Sequence, residues 1–135
     1  MDLERARDFI RKNHRGVLAT HRPDGSIQQT PVLATVNEEG RVVISTRETA
    51  YKARYLRRDP RAYLCVTTER FFGEWVFVEG RAEVISLPEA MEPLVDYYKH
   101  FTYQESEDDY RERMQRERRV VIRITIERAG PDRQG

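Results

Sequence analysis

Residues 45–60 read STRETAYKARYLRRDP, and between positions 47 and 61 six residues are basic: Arg47, Lys52, Arg54, Arg57, Arg58 and Arg61. Only Glu48 and Asp59 oppose them there, in a chain whose formal net charge is +1. Such a run is either the solvated face of a short helix or a place for an anion. The local order is compatible with both. A strand ends at Ser45 and Thr46, the chain turns, and a helix begins near Thr49. Two hydroxyls, the free backbone N–H groups of a helix N-terminus and Lys52 then fall in one short segment. That donor set suits a phosphate.

Other chemistry is absent from the chain. His14, His21 and His100 are scattered and, with the single Cys65, make no zinc spacing. Ser26, Ser45, Ser86 and Ser106 lie in no G-x-S-x-G context, and neither a Walker A loop nor G-x-G-x-x-G occurs. Cys65 sits in the apolar run AYLCVTT and reads as a buried structural thiol, and His100 as a surface histidine at a helix end. A lone cysteine also fits a reduced, cytoplasmic setting. Near-balanced charge argues against a nucleic-acid partner. No apolar stretch approaches the roughly 20 residues that span a bilayer, so no membrane role is expected.

The elements that must position the basic run follow from periodicity. Leu3, Ala6, Phe9 and Ile10 recur at helical spacing, so residues 2–13 are expected to form an amphipathic helix. RGVLATH, IQQTPVLATV and RVVIST then read as strands joined by the turns RPDGS and NEEG, with Pro31 marking an edge or a bulge. Thr49 is expected to cap the next helix, with Ala50, Ala53 and Leu56 inward and Pro60 stopping it. RAYLCVTTE and EWVFVEGRAEVI return to strand, with a bulge or bend at Gly80. Residues 87–101 read as a helix, the mixed-charge segment 102–119 as exposed helix or loop, and RVVIRITIER as the closing strand. About six mainly antiparallel strands with peripheral helices predict a mainly β fold, a barrel occupying residues 1–128 as one domain. Residues 129–135 are expected to be a loose tail.

Four of these fragments, in this order, resemble the pyridoxamine 5'-phosphate oxidase-like split β-barrel superfamily, whose members bind FMN or coenzyme F420. They are RGVLATHRPDGSIQQTPV, the segment from the Ser45-Thr46 strand end to Pro60, EWVFVEGRAEVI and ERRVVIRITIER. KARYLRRDPRA and WVFVEGRAEV are most similar to the deazaflavin (F420)-dependent reductase subgroup, which includes a biliverdin reductase.

The resemblance implies a homodimer with cofactor sites where two subunits meet. It implies Ser45, Thr46 and Lys52 on the cofactor phosphate, with Tyr51 where flavin-dependent relatives often carry arginine and Arg58 as a further phosphate or acidic-tail contact. It sets Gln28, Gln29, Thr30, Pro31 and Val32 beside the ring and Trp75 near the cofactor across the interface. The implied activity is hydride transfer between F420 and a small organic substrate, with FMN as the alternative cofactor. Such chemistry needs no catalytic triad or metal, because the cofactor carries it. Tyr97, Tyr98, His100 and the arginines near 111–119 are candidates for the substrate side, and no local pattern ranks them. The chain ends IERAGPDRQG and lacks the R-L-x-P ending of pyridoxine-phosphate oxidases. A non-catalytic flavin, deazaflavin or tetrapyrrole carrier is the reading from another class.

Overall fold

The computed structural model describes residues 1–70, 72–101 and 104–133. Six antiparallel strands close a barrel in the order β1-β2-β3-β6-β5-β4. They are β1 (Arg15–His21), β2 (Ile27–Val36), β3 (Val42–Arg47), β4 (Arg61–Thr67), β5 (Trp75–Ile85) and β6 (Arg119–Gly130). Four helices surround them: α1 (Leu3–Lys12), α2 (Tyr51–Arg58), α3 (Met91–Tyr98) and α4 (Glu107–Arg116). The expected mainly β barrel is the observed fold.

Alternation sorts each strand into two faces. Leu18, Val42, Ile44, Leu64, Val66, Val76, Val78, Ile122, Ile124 and Ile126 fill the barrel, joined by Ala6 and Ile10 of α1 and Leu56 of α2. A second cluster lies outside it, where Val43 and Val121 meet Leu94, Val95 and Tyr97 of α3 and Tyr110 and Met114 of α4. The expected exposed segment at 102–119 therefore includes a helix with one buried face. Ser106 caps α4 by accepting the Asp109 N–H at 3.1 Å, and three acids in its first turn suit the helix dipole.

Two irregularities shape the barrel. β2 pairs with β1 along residues 27–33 but with β3 only along residues 34–36. Pro31 lies in the half that has a single neighbour, so its missing N–H costs no ladder bond. The β5–β6 register shifts at Glu79/Gly80. A Cβ on Gly80 would lie 1.9 Å from the Thr125 carbonyl oxygen, which is why glycine stands at this bulge.

Two boundaries differ from expectation. The N-cap of α2 is Ala50, with no side-chain cap, so Thr49 does not cap the helix. The closing strand runs on to Gly130, where Ala129 and Gly130 pair with Val78 and Phe77, so residues expected in the tail belong to the sheet. Continued pairing with the long β5 outweighs the break in alternation after Glu127.

Candidate functional site

A cavity of about 380 Å³ opens where β2 and β3 meet α2, α3 and α4. Its lining brings together Pro31, Val32, Ser45, Thr46 and Lys52 of the residues expected from the sequence. It adds Tyr97, Arg113 and Arg119 from the substrate-side group. Leu33, Tyr110 and Met114 complete the wall, and no local sequence pattern marked them.

The six basic residues of the opening run have separate fates. Arg47 reaches Glu117 at 3.6 Å, Arg57 reaches Glu48 at 2.7 Å, and Arg61 reaches Asp59 at 2.7 Å. Arg54 lies over the Tyr51 ring, 5.7 Å from its centre. Arg58 donates to the Pro23 carbonyl at 3.2 Å, in the β1–β2 turn, and does not line the cavity. Tyr51 is exposed and stacks on Tyr55, also away from the cavity. Lys52 alone of the six lines the cavity, half-buried and with no ion pair or side-chain hydrogen bond among the described residues. Burial pushes its pKa below the ordinary lysine value, and the Arg119 guanidinium pushes it the same way.

Arg119 gives its Nε to Glu117 at 2.9 Å. Its two terminal nitrogens meet no acceptor among the described residues, so they remain able to bind an anion. Arg113 is more fully engaged, with Glu105 at 2.6 Å and Glu117 at 3.5 Å. Ser45 and Thr46 line the same cavity, and neither side chain is hydrogen-bonded to a described residue. Lys52 without an acidic partner among the described residues, Arg119 held by Glu117 through Nε alone, and the Ser45-Thr46 strand end thus form a donor-rich wall suited to an anion.

Tyr97 and Tyr110 do not offer free protons to this cavity. Tyr97 donates to the Leu33 carbonyl and Tyr110 to the Leu94 carbonyl, each at 3.0 Å. Tyr98 donates to the Glu105 carbonyl, and His100 is exposed, its Nδ1 3.0 Å from the Asp96 carbonyl.

A second concave region lies on the outer face of β1, β4 and β5. Val17, Ala19, Gln29, Tyr63, Cys65 and Phe77 line an apolar groove of about 540 Å³. Cys65 therefore belongs to this face and not to the barrel interior, because its strand position alternates with buried Leu64 and Val66. Gln29 faces the groove, Thr20 donates to the Gln28 amide oxygen at 3.4 Å, and Thr30 bonds locally to the Pro31 carbonyl. These three are not in the basic cavity. Trp75 stacks with Phe77, ring centres 6.3 Å apart, and lines a separate cleft against Phe9 and Lys12 of α1. Within one chain it does not meet Lys52. Among the described residues no cluster of three metal-ligating side chains occurs, and no helix is long and apolar enough to cross a membrane.

Several solved structures share this architecture. The conserved hypothetical protein Rv2991 from Mycobacterium tuberculosis is 28% identical over 96% of this chain and 82% of that one, with a TM-score of 0.76. A protein named F420 reductase is 18% identical over 91% of this chain and 94% of its own, at 0.67. General Stress Protein 26 from Bacillus anthracis str. Sterne is 17% identical over 96% and 92%, at 0.66. The last two similarities speak to the fold alone. The sequence itself goes further, for residues 3–131 match the profile of pyridoxamine 5'-phosphate oxidase. With the barrel and nearly the whole sequence in agreement, the chain belongs to the pyridoxamine 5'-phosphate oxidase family, a family that binds flavin-type cofactors.

Proposed function

We propose that this protein is an F420-dependent reductase that passes a hydride between the deazaflavin and a small organic substrate. The observation that carries the reading is Lys52, a half-buried ammonium with no acidic partner among the described residues, in one cavity with Arg119, Ser45 and Thr46. Holding two like charges together is unfavourable in the ligand-free chain and favourable once an anion lies between them. A cofactor phosphate meets that need. The fit is to the residues present: Lys52 and Arg119 supply charge, and the hydroxyls supply hydrogen bonds.

Pro31, Val32 and Leu33 give the cavity an apolar strand wall on which a ring system can lie, while Tyr97, Tyr110 and Met114 close the opposite side. Bound there, a deazaflavin supplies the hydride from the carbon that replaces flavin N5. The chain's part is to fix the anionic end, orient the ring and keep water from one face. The hydroxyls of Tyr97 and Tyr110 are committed to carbonyls, so neither is poised to donate the accompanying proton.

Support for F420 over FMN comes from KARYLRRDPRA and WVFVEGRAEV, and the fold of a protein named F420 reductase is compatible with it. FMN remains the second reading, because the same cradle suits its phosphate and the family profile is that of pyridoxamine 5'-phosphate oxidase.

A homodimer belongs to the proposal. Val17, Ile27 and Leu33 are 42%, 41% and 45% exposed. Ile27, Gln29, Pro31 and Leu33 share one face of β2 and lead from the apolar groove to the rim of the basic cavity. A second copy covering the groove would approach the cavity's open side and bring Trp75 with it.

The test is titration of the purified protein with F420 and with FMN, followed by hydride transfer from reduced F420 to unsaturated acceptors. Tighter F420 binding and acceptor reduction are expected. Equal or tighter FMN binding would move the reading to the flavin, and F420 binding without turnover would leave a carrier.

A further inference from the structure

We propose that Glu117 is the positioning residue of the anion site, holding the Arg119 guanidinium beside Lys52. The proposal rests on reading the basic cavity as an anion site. Glu117 ends α4, and Arg118, at φ 54°, turns the chain into β6. That turn brings Arg119 into the sheet directly opposite Arg47 of β3. Like charges opposite each other on neighbouring strands repel.

The Glu117 carboxylate lies among them. It accepts Arg119 Nε at 2.9 Å, stands 3.6 Å from Arg47 and meets Arg113, one turn back on α4, at 3.5 Å. Three guanidinium groups from three elements share one carboxylate, and Glu105 accepts from Nε and a terminal nitrogen of Arg113. Burial pushes the Glu117 pKa up, but the Arg119 hydrogen bond and the three positive charges outweigh it and hold the group ionised. Engaging Arg119 only through Nε leaves its terminal nitrogens for the cavity. Without Glu117, Arg47 and Arg119 would repel, and Arg119 would turn toward water. The other charged or titratable groups at the cavity are Lys52 from α2, Tyr97 from α3, and Tyr110 and Arg113 from α4.

A pure charge role and a positioning role predict opposite signs. Removing a carboxylate from a cationic site strengthens anion binding if Glu117 acts only through its charge. Loss of Arg119 from the site weakens it.

The experiment uses the full chain with FMN as the phosphate-bearing probe, in Glu117→Ala, Glu117→Gln, Arg119→Ala and the Glu117→Ala/Arg119→Ala pair. A Lys52 side-chain titration by NMR is run on each ligand-free protein. Glu117→Ala is expected to weaken FMN binding roughly tenfold, while Glu117→Gln, which keeps an acceptor for Nε, stays within about threefold. In the Arg119→Ala background the Glu117 change should add nothing, the mark of a shared interaction. Lys52 should titrate higher in Glu117→Ala, because a like charge has moved away.

Tighter or unchanged FMN binding in Glu117→Ala, or additive losses in the pair, would overturn the proposal. If the wild type binds no FMN, the flavin form of the anion reading fails, and the Lys52 titration alone decides: a rise supports the role of Glu117 and no change refutes it. Should Glu117→Ala not fold, Glu117→Asp, one methylene short of Nε but still charged, must show the same weakening.

Discussion

The basic cavity at Lys52 and the apolar groove at Phe77 are both surfaces that a single folded chain has no use for, and they are unfavourable for opposite reasons. The cavity gathers cations whose mutual repulsion and partial burial oppose folding. The groove leaves Val17, Phe77 and half-buried Cys65 against water. Under the proposed function, an anion would relieve the first and the apolar face of a second copy the second. β2 joins them, with alternate residues reaching from one to the other. The contrast lies in one strand whose outer face changes character along its length, from the apolar groove to the rim of the basic cavity.

Phe77→Arg breaks the groove and should have the largest effect. Truncating or charging a central aromatic anchor costs about 2–4 kcal/mol, or roughly 30- to 700-fold in self-association at 1.4 kcal/mol per tenfold. Light scattering at micromolar concentration should show a dimer for the wild type and a monomer for the variant. A monomeric wild type would remove the groove from the comparison and the shared site with it.

Lys52→Ala breaks the cavity instead. Losing one charge-assisted hydrogen bond of about 1.5–3 kcal/mol should weaken cofactor binding roughly 10- to 150-fold, with the mass unchanged. Arg47→Ala, whose side chain is directed to Glu117 at 3.6 Å, should lose less. Equal losses from the two substitutions would mean a diffuse field and no defined cradle.

The smallest expected effect sharpens the electrostatic half of the contrast. Lys52→Met should stabilise the ligand-free protein by about 0.5–2 kcal/mol, as relief of a functional site commonly does, while weakening anion binding to the same extent as Lys52→Ala. The folded-state pKa of Lys52 lies below its unfolded value, so the unfolded chain holds the proton more firmly. The penalty is fully present at neutral pH and fades as pH rises through the lowered pKa toward the ordinary lysine value. Melting curves of the two proteins should therefore converge in alkali. A variant no more stable than wild type at neutral pH would show that the ammonium is not strained.

The sequence determined much of this by itself. Alternation in VVIRITI, helical spacing of Leu3, Ala6 and Ile10, and turns at Asp24-Gly25 and Asn37–Gly40 are local consequences of backbone geometry, so the strands and α1 were legible residue by residue. That Ser45, Thr46 and Lys52 share one cavity wall follows from the same local order, since they are close in sequence. Thr49 misled because a good capping side chain can be overruled where the strand before it fixes the entry. Only the tertiary structure decided which of six basic residues remained unpaired, because pairing depends on partners such as Glu117, Glu48 and the Pro23 carbonyl, some of them far along the chain. It alone brought Arg119 and Tyr97 to Lys52 and carried Trp75 away from it. Those relations arise from barrel closure and from helices packed across its strands, and no local pattern of residues encodes a distance between strands.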